Sequence, residues 1–282
     1  MDHAPKIIVW NVRGLNARAR RTAIRSLIVS TNASVVCLQE TKMELIGLST
    51  VLETLGSDFD DYAYLPAIGT RGGILLAWKR GLVMISNPSL TTNTLSALVT
   101  PPHGANPWWL TIVYGPQHDN DKIAFLQEIR DVRANCAGPW MLCGDFNLIY
   151  RDEDKNNGNL NRRMMGRFRR VINDLALKEI YLNGRRYTWS NEQTPPTLVH
   201  LDRVLCTADW EEQHGECHLR CLASVISDHS PLLLDYSPLP PARRRFHFED
   251  YWTRVEGFHD VVADAWHSVD DADPFRRIMR RM

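Results

Sequence analysis

The chain has 282 residues, 44% of them hydrophobic, which suits one large α/β domain or two small ones around a substantial core. Lys+Arg and Asp+Glu balance at 33 each, so no net field draws the molecule to nucleic acid, and any such binding must come from local patches. Six cysteines without a CxxC pair argue against a disulfide framework; no run reaches the ~18 apolar residues of a membrane span and no signal peptide is evident, which predicts a soluble intracellular protein.

In chain order, residues 6–11 read as a buried strand, followed by a loop at 12–16 and an amphipathic helix from about Ala19 with Ile24, Leu27 and Ile28 inward. Residues 34–38 form a second buried strand, ending in Gln39-Glu40-Thr41. Two apolar strands joined through a helix predict a right-handed parallel βαβ unit, in which Asn11 and Glu40 leave the same sheet edge. Residues 43–55 read as helix. Short β runs at 62–65, 73–79, 82–85, 96–100 and 109–114 alternate with Gly, Pro and Asn in the pattern of an antiparallel meander. A helix over 119–133 carries Ile123, Leu126, Ile129 and Val132 at near-helical spacing.

The apolar run 140–143 then reads as a short buried strand, broken by Gly144 and followed by Asp145 and Asn147. Two positions apart on extended chain, this carboxylate and carboxamide share one side, placed to hold a cation or orient a water; the plain alternative is a turn. Residues 151–161 are polar and loop-like. A helix over 162–177 turns Met164, Phe168, Val171 and Leu175 inward and several arginines outward. Residues 198–206 read as one strand carrying Asp202, and 216–222 as another. Ser227-Asp228-His229-Ser230-Pro231 leads into a last strand at 232–236. The domain is predicted to span 1–237. Residues 238–282, opened by Pro238, Pro240 and Pro241, read as a linker and partial helical tail, with weak periodicity over 255–266. The predicted class is α/β: a four-layer sandwich, two mixed sheets face to face with helices outside and active groups at one rim.

Polar residues collect at the predicted strand ends: Asn11, Glu40, Tyr114, Asp145, Asn147, Asp202, Asp228 and His229. Taken singly, each has a structural explanation, such as a solvated strand end, a local Asp202–Arg203 ion pair or a turn at Asp228-His229. Together, WNVRG at 10–14, LQET at 38–41, VYGP at 113–116, GDFN at 144–147, LDRV at 201–204 and SDHSP at 227–231 occur in the order of the endonuclease/exonuclease/phosphatase superfamily, the DNase I-like fold, which the chain resembles over about 6–237. WNVRGLN, TWSN at 188–191, LDRVL and RRFHFEDYW at 244–252 look most like the endonuclease domain of plant LINE-type non-LTR retrotransposon polyproteins.

The resemblance implies a Mg²⁺-dependent DNA endonuclease, with Mn²⁺ as a substitute, that nicks one strand and leaves a 3′-hydroxyl for reverse transcription. It implies Glu40, Asn11 and Asp228 as metal residues. Asp145 orients or deprotonates the attacking water, with Asn147 beside it; His229 donates to the phosphate; Asp202 fixes its ring; Tyr114 contacts phosphate. DNA contacts are expected from Arg185, Arg186, Thr188 and Trp189. In a full-length polyprotein the partners would be a reverse transcriptase and element RNA, with no stable protein partner beyond them and no membrane, acting in the nucleus on chromosomal DNA. Apurinic endonucleases carry an acid two positions after the first-motif Asn, where this chain has Arg13, which weighs against an abasic-site enzyme. A deadenylase, an inositol phosphatase and a non-catalytic nucleic-acid-binding remnant are the other readings.

Overall fold

The computed structural model describes residues 5–69, 72–102, 106–236 and 257–267. The chain divides into two units, Met1–Pro238 and Leu239–Met282. The first contains β1 (Ile7–Asn11), α1 (Arg18–Thr31), β2 (Val35–Gln39), α2 (Leu48–Leu55), β3 (Asp61–Leu65), β4 (Ile74–Trp78), β5 (Met84–Leu90), β6 (Thr94–Thr100), β7 (Trp108–Tyr114), α3 (Asp119–Asn135) and β8 (Trp140–Asp145). It continues with α4 (Arg162–Asp174), β9 (Lys178–Glu179), β10 (Leu182–Asn183), β11 (Trp189–Ser190), β12 (Leu198–Val199), β13 (Asp202–Cys206), α5 (Ala208–Gln213), β14 (His218–Cys221) and β15 (Leu232–Asp235). The second unit holds α6 (Phe258–His267); the remaining tail residues of the predicted helical stretch at 255–266 lie outside the described set.

Seven strands form one sheet in the order β10-β14-β15-β1-β2-β4-β3, and six form the other in the order β5-β6-β7-β8-β13-β9, with β11 and β12 as a separate ribbon. Strand periodicity sorts the side chains into layers. Ile7 and Val9 of β1 and Val35 and Cys37 of β2 enter the space between the sheets, against Leu95, Leu110, Ile112, Cys143 and Val204. The alternate residues Ile8, Trp10, Val36 and Leu38 face outward onto Ile24 and Ile28 of α1 and Val51 and Leu55 of α2. On the far side Leu142 and Leu205 pack on Phe125 and Ile129 of α3 and Phe168 and Val171 of α4. Strands covered on both faces must be apolar throughout, which is why β1, β2 and β8 read as unbroken hydrophobic runs. The result is the four-layer α/β sandwich.

β1 and β2 pair in parallel, Asn11 opposite Gln39, so Asn11 and Glu40 do leave one edge together. Four details depart from the sequence reading. The helix placed at 43–55 starts only at Leu48, because Glu40 and Lys42 take left-handed backbone (φ +54° and +53°), which ends β2 in an irregular loop. The meander is divided: β3 and β4 pair in the first sheet, and the chain then crosses to the second for β5, β6 and β7. The strand placed at 198–206 breaks at His200-Leu201 into β12 and β13. Ile123 is 51% exposed, and Phe125 takes the inward position instead. All six cysteines are free thiols, and among the described residues no helix is long and apolar enough to cross a membrane.

Candidate active site

The second sheet lays three of the polar residues side by side. Tyr114 at the end of β7 pairs with Asp145 at the end of β8, and Asp145 pairs with Asp202 at the start of β13. Gly144 makes this register possible: its φ is +131°, and a Cβ there would sit 2.2 Å from the Val113 carbonyl oxygen on β7. The first sheet delivers Asn11 from β1, Glu40 from beyond β2 and His229 from the loop before β15. That loop is tied back by Ser227 Oγ, which donates to the Asn11 carbonyl (2.7 Å), and by Trp10 Nε1, which donates to the His229 carbonyl (3.0 Å).

These groups converge. His229 Nδ1 donates to Asp202 at 2.9 and 3.1 Å. Its Nε2 lies 3.7 Å from Asp145 Oδ2. Asn11 Nδ2 donates to Asp145 Oδ2 (2.9 Å), and the Asn147 backbone N–H donates to Asp145 Oδ1 (2.9 Å). Asp145, Asp202, Asn11 and His229 are all buried, at 5% exposure or less. Burial pushes the Asp145 carboxyl up to about 6; the His229 charge opposes this and the Asp202 charge adds to it. Burial alone would lower His229, but the charges of Asp202 and Asp145 outweigh it and hold the imidazole up at about 9. At neutral pH the site therefore holds an ionised Asp145 beside a protonated His229.

Glu40 is 8% exposed, with its carboxylate 2.9 Å from Lys42 Nζ. Tyr114 stands next to it; burial, then the charges of Glu40 and Asp145, keeps the phenol neutral well above its usual range. Asp228 Oδ2 accepts from Arg13 Nη1 and Trp189 Nε1, both at 2.9 Å. Asp228 Oδ1 is buried without a hydrogen-bond partner. Arg13, Glu40, Lys42 and Asn147 all have left-handed backbone. Such outliers persist only where the surroundings over-determine them, and here they crowd one rim.

The sequence model of the endonuclease/exonuclease/phosphatase family matches residues 8–229. The chain belongs to that family. An exodeoxyribonuclease of Bacillus subtilis is 24% identical over 174 residues, 57% of this chain and 66% of the relative, so the match spans just under two thirds of that protein's length. Among solved structures, an AP endonuclease from Leishmania major superposes with a TM-score of 0.64 at 18% identity, covering 82% of this chain and 87% of that one. The endonuclease domain of TRAS1, a telomere-specific non-LTR retrotransposon, gives 0.61 at 14% identity, covering 82% and 98%. These structural likenesses establish the DNase I-like fold.

Within this family member, the structure gathers Asn11, Asp145, Asn147, Asp202 and His229 into one hydrogen-bonded set, with Tyr114 beside Asp145 and Glu40. Asp145, Asp202 and His229 bring potential ligand atoms within 4.8 Å of one another, but a protonated imidazole bonded to Asp202 is no metal ligand. Oxygen donors suited to a hard divalent cation remain on Glu40 and the unpartnered Asp228 Oδ1, whereas both Asp145 oxygens already accept hydrogen bonds. Asn11, expected among the metal residues, is held by two hydrogen bonds. Its Oδ1 accepts the Arg13 backbone N–H (3.1 Å) and its amide nitrogen donates to Asp145 Oδ2 (2.9 Å), which orients that carboxylate. Thr188, expected among the DNA contacts, is 1% exposed, and its hydroxyl accepts the backbone N–H groups of Leu201 and Asp202 (both 3.0 Å). Trp189 is half-buried on Asp228, while Arg185 and Arg186 are exposed. His200 lies apart from the site, near Asp154 and Glu179, and Arg203 bonds those two acids instead of Asp202.

Sequence reasoning missed Gly72. A Cβ there would lie 2.7 Å from Glu40 Cγ and 3.0 Å from Tyr114 Cε1, so only glycine lets this segment back the Glu40 carboxylate. Lys42 was missed as well. Ser227 sat inside the SDHSP motif, where its role as a tether could have been asked.

Proposed function

We propose that the protein is a divalent-metal-dependent DNA endonuclease that nicks one strand and leaves a 3′-hydroxyl able to prime reverse transcription. The observation that carries this is the Asn11–Asp145–His229–Asp202 arrangement, an ionised carboxylate facing an imidazolium in a buried site. Glu40 and Asp228 would hold the cation; when bound, it would supply charge neutralisation at the phosphoryl group and at the leaving oxygen. Asp145, fixed by Asn11 and the Asn147 N–H, accepts a proton from the attacking water. His229, oriented by Asp202, donates to a non-bridging phosphate oxygen, where negative charge grows. Tyr114, a neutral phenol, donates to a second phosphate oxygen. The remaining N–H groups of half-exposed Arg13 meet the phosphate at the mouth. Arg185, Arg186 and Trp189 contact DNA.

The retrotransposon role rests on WNVRGLN, TWSN and LDRVL in this sequence. In that role residues 238–282 would be a linker toward a reverse transcriptase, the element RNA would be a partner, and the work would take place in the nucleus. The test is nicking of supercoiled plasmid in Mg²⁺ or Mn²⁺ against EDTA, followed by polymerase extension of the nick to detect its 3′-hydroxyl. An abasic duplex, poly(A) RNA and a phosphoinositide are assayed in parallel. Activity confined to one of those three would replace the proposal with the matching rival, and an inactive protein that still binds DNA would make it a binding remnant.

A further inference from the structure

A cleft of about 740 Å³ opens where the second sheet's edge strand β9 and the first sheet's edge strand β10 end. Arg151, Glu153, Tyr181, Arg185 and Arg186 line it, with Asp154, Glu179 and His200 along its floor. The two floor acids share one buried cation, which leaves the floor a single net negative charge. Arg203, 1% exposed, donates to Asp154 and to Glu179 at 2.5 Å each, and Asp154 also accepts the backbone N–H groups of Tyr150 and Arg151. The rim is left with exposed Arg151, Arg185 and Arg186 against exposed Glu153.

Two of these arginines are pre-arranged by aromatic neighbours. Arg151 lies over the Tyr150 ring at 5.0 Å and Arg186 over the Tyr187 ring at 5.6 Å. Tyr181 is 78% exposed, a large ring that the fold gives no cover. An exposed ring among guanidinium groups offers stacking for a base and charge for the backbone, the pairing that single strands use. Inside a duplex each base face is covered by its neighbours, so Tyr181 can accept only an unpaired base. The cleft is tied to the active site through the chain: Arg185 and Arg186 lead into Thr188, whose hydroxyl accepts the Asp202 backbone N–H (3.0 Å).

We infer that this cleft binds an unpaired stretch of DNA beside the cut, with its phosphates on Arg151, Arg185 and Arg186 and a base stacked on Tyr181. The inference rests on the nucleic-acid reading of the active site. Its test is fluorescence anisotropy of the full chain, in EDTA so that no cleavage occurs, with labelled oligo-dT and a duplex of equal length. Tyr181→Ala should weaken oligo-dT binding about ten-fold, the scale of one lost base stack, and leave duplex affinity within two-fold. Tyr181→Phe should bind like wild type, and Arg151→Gln should flatten the salt dependence for oligo-dT. Unchanged oligo-dT binding by Tyr181→Ala, or equal loss on strand and duplex, would overturn the inference. The two readings fail separately. A protein that never nicks but binds oligo-dT through Tyr181 keeps the cleft and loses the nuclease; an active nickase indifferent to Tyr181 does the reverse.

Discussion

Asp145 and His229 are displaced to opposite sides of neutrality by one environment: burial lifts the carboxyl to about 6, while two aspartates overcome burial to lift the imidazole to about 9. Under the proposed mechanism Asp145 must be ionised and His229 protonated, so kcat/KM for nicking should fall as pH drops through about 6 and again as it rises through about 9. A profile flat from pH 5 to 10 would contradict both assignments. Truncating His229 to Ala should lower single-turnover nicking by roughly two to four orders of magnitude, the scale of a lost electrostatic or acid–base group, with DNA affinity within a few-fold. Equal loss of rate and affinity would make His229 a binding residue. Gly72→Ala tests a different point. Its added methyl would sit 2.7 Å from Glu40 Cγ, 2.9 Å from Glu40 Cα and 3.0 Å from Tyr114 Cε1, so under the proposed function the Mg²⁺ concentration for half-maximal nicking should rise several-fold, beyond what any loss of melting temperature accounts for. An unchanged Mg²⁺ requirement would remove Glu40 from the metal set.

The break between β12 and β13 is the element on which the site's geometry turns, and Thr188 bridges it by taking the N–H groups of Leu201 and Asp202. Thr188→Val keeps the shape but strands those donors. It should cost about 1–3 kcal/mol of stability and slow nicking, with Thr188→Ser restoring both; denaturant unfolding alongside the nicking assay would show it. A valine variant as stable as wild type would mean that water serves these donors. This device was hidden from sequence reading. Thr188 sits in a polar stretch with arginines before it, which resembles a surface loop, and only the kink at His200-Leu201 turns its hydroxyl inward. By contrast β1, β2 and β8 were plain, because strands covered on both faces carry continuous apolar runs. The rim positions of Asn11, Glu40 and Asp145 followed from where those runs stop. Which sheet each short strand joins was not legible. β3 to β7 are all brief and separated by similar turns, and nothing local marks the crossing after β4. Gly72 escaped notice for a related reason: a close approach to Glu40 exists only once β2 and β4 are paired.

At the scale of the whole molecule, the packing of α5 against the sheets carries a pH signature away from the active site. His214 stacks on Trp210 (4.4 Å between ring centres), accepts or donates a 2.9 Å bond with the Tyr236 hydroxyl, and is held by burial down at about 4. Its neutral form is the one the fold favours. Its contribution to stability is therefore complete above the ordinary histidine value of 6.5 and is lost as pH falls from there through about 4. Relative to His214→Phe, wild type should lose melting temperature steadily over that window, and parallel curves for the two proteins would refute the assignment. A last consequence lies in the pairing of β15 with β1, Val9 opposite Leu232. Within the domain β1 must wait for β15, its last described strand, and His229 arrives just ahead of that strand. A nascent or prematurely released chain that ends before His229 thus holds the carboxylates without the imidazolium. Under the proposed function the nuclease would be disarmed until its domain is fully translated, which would shield nucleic acid around the translating ribosome from unfinished copies.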